Sequence, residues 1–268
     1  MQKCGEKPLI IAHRGASAIA PENTLAAFQK AVEVGADGIE FDVQLAKDGV
    51  PVVFHDFELQ RIGQKQGLIS DFTSKELQTL DVGSWFNLKN PNKADDKFSA
   101  ETIPTLAQLL EFLTDYEGLI YIELKCREAE TFALVEAVCK IIWQTNLLPN
   151  IVIKSFNLEA ICRMRRLLPE VRTAALFAPK IVTILHKKKQ LLKKAQECDV
   201  NEISIHYSLA TQNFIERAKR KGFLTTIWTA DSSAWVKHAL DLGVNAIITN
   251  NPEKLLAQRQ KIFANRLG

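Results

Sequence analysis

No stretch of this chain approaches the roughly 18 consecutive apolar residues of a membrane-spanning helix. The first residues, Met1 to Pro8 ("MQKCGEKP"), lack an apolar h-region, so a secretory signal is not expected either. Excess charge is missing too: 34 basic and 31 acidic residues leave a net charge of +3, too mild to imply nucleic acid. The one basic cluster, "HKKKQLLKKAQ" (His186 to Gln196), reads as a helix with its lysines toward water, contact with an anionic membrane surface being the lesser reading. Paired cysteine motifs are absent. Cys4, Cys126, Cys139, Cys162 and Cys198 are odd in number, widely spaced and form no CxxC. That usage fits isolated reduced thiols better than a disulfide framework or a zinc site. These absences together make a soluble cytoplasmic protein without a membrane anchor the expectation.

What is present is a globular composition, 47% hydrophobic and 24% charged, and a rhythm of short apolar runs alternating with amphipathic segments. Strands are expected at 9–13, 38–45, 119–125, 151–156, 173–177, 202–207, 224–229 and 245–249. Each is followed by helical spacing, as in "TLAAFQKAVEVG" and "TQNFIERAKRKG", with Gly35, Gly222 and Gly243 at helix stops. Eight strands and eight helices in this order predict an α/β fold, a (β/α)8 TIM barrel, with a doubly wound sheet as the weaker choice. The chain is long enough for one barrel domain over residues 1–268. One interval breaks the rhythm. After the second strand an extended piece, "PVVFH" (51–55), leads into "TSKELQTLDVG" and a polar stretch, and about 56–104 reads as a small insertion over the top of the barrel.

Side chains alternate along a strand, so "GIEFDVQL" sends Ile39, Phe41 and Val43 one way and Glu40, Asp42 and Gln44 the other. "LIYIELK" does the same with Tyr121, Glu123 and Lys125. Two carboxylates side by side repel, and burying either unpaired is costly. Strand one ends in His13-Arg14, and "VVFHD" supplies His55. Barrel sites lie at the C-terminal strand ends, where these residues cluster. Glu40, Asp42 and Glu123 suit a hard divalent cation, magnesium or calcium, better than zinc. The alternative is a buried ion network, Glu123 with Lys125 and Glu40 or Asp42 with Arg14. Two histidines beside acids and cationic side chains suit phosphoryl chemistry, the imidazoles moving protons while Arg14 and a cation hold phosphate oxygens. His186 and His238 are expected on helix surfaces, and His206 is a marginal candidate at a strand end.

"AHRG…PENT" (Ala12 to Gly15, Pro21 to Thr24), "IEFDVQLAKDGVPVVFHD" and "IELK" (Ile122 to Lys125) closely resemble the glycerophosphodiester phosphodiesterase family. "SF" (Ser155-Phe156), "IWTAD" and "GVNAIITNNP" extend the likeness over nearly the whole chain. The resemblance implies a (β/α)8 barrel with an insertion after strand two, and hydrolysis of small-molecule glycerophosphodiesters to sn-glycerol 3-phosphate and an alcohol. It implies His13 and His55 as the acid–base pair, Glu40, Asp42 and Glu123 as cation ligands, and Arg14 and Lys125 as phosphate contacts. Trp228 is expected to wall the glycerol pocket, while Glu22 and Asn23 are expected to stabilise the first βα loop. The family often reads "WTVN" and "GVDGIITDxP" where this chain has "WTAD" and "GVNAIITNNP", a departure that removes no expected catalytic group.

The residues leave open which histidine is acid and which base, His13 as base being the expected order. They also leave open whether water or the glycerol hydroxyl attacks first, and the oligomeric state. Three rivals remain. A lysophospholipase D would need an apolar groove, for which Phe57, Leu59, Trp85 and Phe86 are the candidates if they are not the insertion's own core. A non-catalytic binder of phosphorylated polyols would need no acid–base pair. An isomerase acting through an enediolate would want a later-strand base, for which only Lys154 and His206 are offered.

Overall fold

Runs rich in Ile, Val and Leu make the strands, and their alternation sets what each face covers. A computed structural model describes residues 7–179 and 188–265. Among them β1 (Leu9–His13), β2 (Gly38–Leu45), β3 (Pro51–Val53), β4 (Leu119–Leu124), β5 (Ile151–Ser155), β6 (Arg172–Phe177), β7 (Glu202–His206), β8 (Leu224–Trp228) and β9 (Ala246–Thr249) form one sheet. Its order is β1-β9-β8-β7-β6-β5-β4-β2-β3, and β1 also pairs with β2, so eight parallel strands close into a ring. The short β3 lies antiparallel on β2 outside that ring. It is the one strand the rhythm of the sequence did not count. The eight others fall within a residue or two of their expected positions.

Helices occupy the connections, and their apolar faces meet the outward strand residues. Ile39, Phe41, Ile120, Ile122, Ile151 and Ile153 pack there with Phe28, Leu109, Val135 and Ile161 in the main core. Inside the ring, Ile11, Tyr121, Val152, Ala174, Ala246 and Ile248 fill the lower layer. Above it the inward positions turn polar, as the alternation predicts. The insertion has its own small core of Val52, Phe54, Leu59, Ile62, Ile69 and Leu77. A second patch seats Phe86 and Phe98 against Ala20 and Ala27 of the first loop and helix. Leu59 and Phe86 are therefore interior residues of the insertion and do not line an open groove.

The cysteine expectation needs correction. Cys162, in the helix Leu158–Leu167, and Cys198, just past the helix Lys188–Glu197, form a disulfide across 36 residues. Among the described residues β6 lies between the two helices in the chain, and spacing in sequence does not reveal that they meet. Cys126 and Cys139 are free. Cys4, most of "MQKCGEKP" and His186 lie outside the described residues. In the remainder of the basic cluster, Lys193 and Lys194 face water while Leu191, Leu192 and Ala195 are buried. No helix among the described residues is long and apolar enough to cross a membrane.

Candidate active site

Strand register brings the acids together. His13 is level with Glu40 on β1 and β2, and Asp42 is level with Glu123, which is level with Lys154 on β5. Ligand oxygens from Glu40, Asp42 and Glu123, all buried, lie within 4.8 Å of one another. Three cationic side chains neutralise them. Lys154 Nζ is 2.7 Å from Glu40 and 3.7 Å from Glu123. Lys125 Nζ is 2.8 Å from Glu123 and 3.4 Å from Asp42, and Arg14 Nε is 3.2 Å from Asp42. The ion network and the cation-ready cluster are thus the same residues. A donor set of three carboxylates fits a hard divalent cation, which would share these oxygens with the lysines.

The charges hold one another in their ionised forms. Burial pushes the Asp42 carboxyl up, but Lys125 and then Arg14 outweigh it and keep it far below the usual carboxylate range. Burial likewise opposes Glu40, and Lys154 keeps its carboxyl below the ordinary value. Lys154, only 2% exposed, is raised against its own desolvation by Glu40 and Glu123. A lysine so paired is a poor base, which removes it from the role the isomerase alternative required.

The two histidines stand at the rim of this cluster. His13 Nε2 is 3.9 Å from Glu40, and its Nδ1 is 2.7 Å from Asn250 Oδ1. Burial lowers the His13 pKa against the pull of Glu40, which favours a neutral ring at neutral pH. His55 Nδ1 is 2.6 Å from Asp56. Asp56 also pairs with Arg61, whose other nitrogens reach Glu22 at 2.7 and 3.1 Å. Glu22 in turn accepts from Arg14 at 2.6 Å. Insertion and first loop are so tied by an alternating chain of charges that ends on Asp42. Beside His55 opens a cavity of ≈ 490 Å³ whose lining includes Phe57, Gln60, Arg61 and Lys125.

The first loop carries its own supports. Thr24 caps the helix Leu25–Glu33, its side chain accepting from Ala27 N. Asn23 donates to Asp42 Oδ2 at 3.0 Å, so this loop residue orients a candidate ligand directly. The structure thus gathers His13, Arg14, Glu40, Asp42, Glu123 and Lys125, with His55 beside them. Trp228 stands apart on β8, opposite β4 by strand order, edge-on to Phe156 and His206 with ring centroids 5.6 and 5.5 Å away. Lys154, Arg61, Asp231 and Asn250 were not assigned to the site from sequence. Lys154 could have been, because a lone lysine in "IVIKSF" falls on the inward register beside Glu123.

The glycerophosphoryl diester phosphodiesterase family profile matches residues 13–254. A glycerophosphodiester phosphodiesterase of Caldanaerobacter subterraneus subsp. tengcongensis is 34% identical over 250 residues, covering 93% of this chain and 97% of the relative. One from Bacillus altitudinis is 30% identical over 254 residues, covering 94% and 98%. Among solved structures, an Oleispira antarctica phosphodiesterase in complex with the product sn-glycerol-3-phosphate superimposes with a TM-score of 0.84 at 28% identity, over 95% of this chain and 97% of that one. The barrel, the acid cluster and these matches agree: the chain belongs to the glycerophosphoryl diester phosphodiesterase family, whose members are phosphoric diester hydrolases.

Proposed function

We propose that this chain hydrolyses glycerophosphodiesters such as glycerophosphocholine and glycerophosphoethanolamine to sn-glycerol 3-phosphate and an alcohol. Arg14 and Lys125 bind the phosphodiester, with Trp228 walling the glycerol pocket. His13 takes the proton of the attacking nucleophile, which is water or the glycerol hydroxyl with water then opening the cyclic diester, and His55 delivers one to the leaving alkoxide. Glu40, Asp42 and Glu123 hold Mg2+ or Ca2+. When bound, such a cation supplies Lewis-acid stabilisation of charge on the phosphoryl oxygens. The observation carrying this reading is the meeting of two histidines, three carboxylates and the cationic side chains of Arg14 and Lys125 at one end of the barrel. Asp56 supports the acid–base assignment, since its carboxylate accepts from the Nδ1–H of His55 and leaves Nε2 free to exchange a proton. Of the four groove candidates, Trp85 is partly buried against the insertion's core, and Phe57, half-exposed at the cavity, is the one a lysolipid would meet there.

The test is release of sn-glycerol 3-phosphate from both substrates with magnesium, calcium or EDTA, alongside His13→Ala, His55→Ala and Glu40→Ala. Cation-dependent release that all three variants abolish is expected. His13→Ala combined with His55→Ala should lose little more than either alone, because the two act as one unit. Independent, additive losses would count against the pair. Release only from lysophosphatidylcholine would move the activity to lysophospholipase D, and binding without turnover of any diester would mark a binder of phosphorylated polyols.

A further inference from the structure

Behind His13, on the side away from the acids, two loops from the end of the chain converge. Asn250 donates from Nδ2 to Asp231 Oδ2 at 2.8 Å. Asp231 Oδ1 also accepts from the Asn250 backbone N–H at 2.7 Å and from Thr249 Oγ1 at 2.9 Å. A carboxylate only accepts, so the amide nitrogen of Asn250 must face Asp231 and its Oδ1 must face His13. That oxygen, 2.7 Å from His13 Nδ1, has no hydrogen to give, so the imidazole must donate to it. Ser17 Oγ, 2.8 Å from the His13 carbonyl and 2.9 Å from Asn250 Oδ1, closes the arrangement.

We propose that Asp231 and Asn250 are positioning residues that lock His13 in its Nδ1–H form, leaving the Nε2 lone pair turned toward the acid cluster. The inference rests on the reading above, in which His13 takes a proton at Nε2. Asp231 acts at one remove: it sets which way the Asn250 amide points, and the amide sets the tautomer. An acid and an amide facing each other make the same bonds in either order, provided an oxygen faces His13.

The experiment compares Asn250→Ala, Asn250→Asp and the double variant Asp231→Asn/Asn250→Asp in the full chain. It measures kcat and KM, and reads the His13 tautomer by 15N NMR of histidine-labelled protein at mildly alkaline pH. Asn250→Ala should lower kcat about 10- to 100-fold with KM changed little, as loss of an orienting partner typically does. Its His13 spectrum should become a mixture of tautomers. Asn250→Asp alone sets two carboxylates against each other and should also lose kcat, while the double variant should recover both kcat and the Nδ1–H signal. An Asn250→Ala enzyme that keeps the parent tautomer overturns the proposal, as does a double variant that folds but regains neither signal. Because the tautomer is read without substrate, a failure of the diester assay does not mask this result.

Discussion

Lys154 is almost wholly buried, yet it carries a charge. Its ammonium group lies between Glu40 and Glu123, and the three carboxylates of the cluster are matched by Lys154, Lys125 and Arg14. Removing one member of such a set leaves buried charge uncompensated, at a cost of about 3–5 kcal/mol. Lys154→Met is therefore expected to lower the urea stability of EDTA-treated protein by that amount. A divalent cation should return part of the loss, since it supplies the positive charge the variant lacks. Urea curves with and without cation check this, and equal destabilisation in both would show that the carboxylates do not take up the ion. Sequence made the acids legible through alternation alone. It did not show Asn250 or Asp231 behind His13, because those contacts cross 237 and 19 residues and no local pattern encodes them.

At the scale of the element, the turn after β1 is the tightest piece of the site. Gly15 has φ +79°, and a Cβ there would sit 2.5 Å from the Ala27 backbone carbon in the following helix. Neither the backbone angle nor the helix can accommodate it, so Gly15→Ala must move the loop that carries Arg14 off the helix that anchors it. A loss of about 2–3 kcal/mol is expected from such strain. Activity should fall further than stability, with KM for the diester raised, because Arg14 shifts. Thermal melts beside steady-state kinetics separate the two effects, and a variant with parent kinetics would show that the turn does not set Arg14. The strands and the helix stops were readable because each is written in a handful of consecutive residues. The insertion was readable only as an interruption. Its fold depends on Leu59, Ile69 and Leu77 meeting over β3, and its role depends on Arg61 reaching back to Glu22, neither of which has a sequence period.

For the whole molecule, the Cys162–Cys198 bond joins neighbouring helices across 36 residues. Closing a loop of that length is worth about 3–4 kcal/mol in the chain-entropy account. Denatured, unreduced protein should therefore show three thiols, and five after reduction, with the reduced form melting lower. Five thiols without reductant would return the cysteines to the isolated thiols that their spacing suggested. The ring itself closes through β1, held between β2 and β9, and through Arg259 of the last helix, which bonds Asp37 and the carbonyl of Pro8. His13 ends that same first strand, and its partner Asn250 follows the last one. The residues proposed to move and steer the proton therefore sit astride the seam of the barrel. Parting the ring at that seam would separate His13 from Asn250, so opening of the barrel between β1 and β9 is expected to abolish turnover even where the acid cluster stays intact.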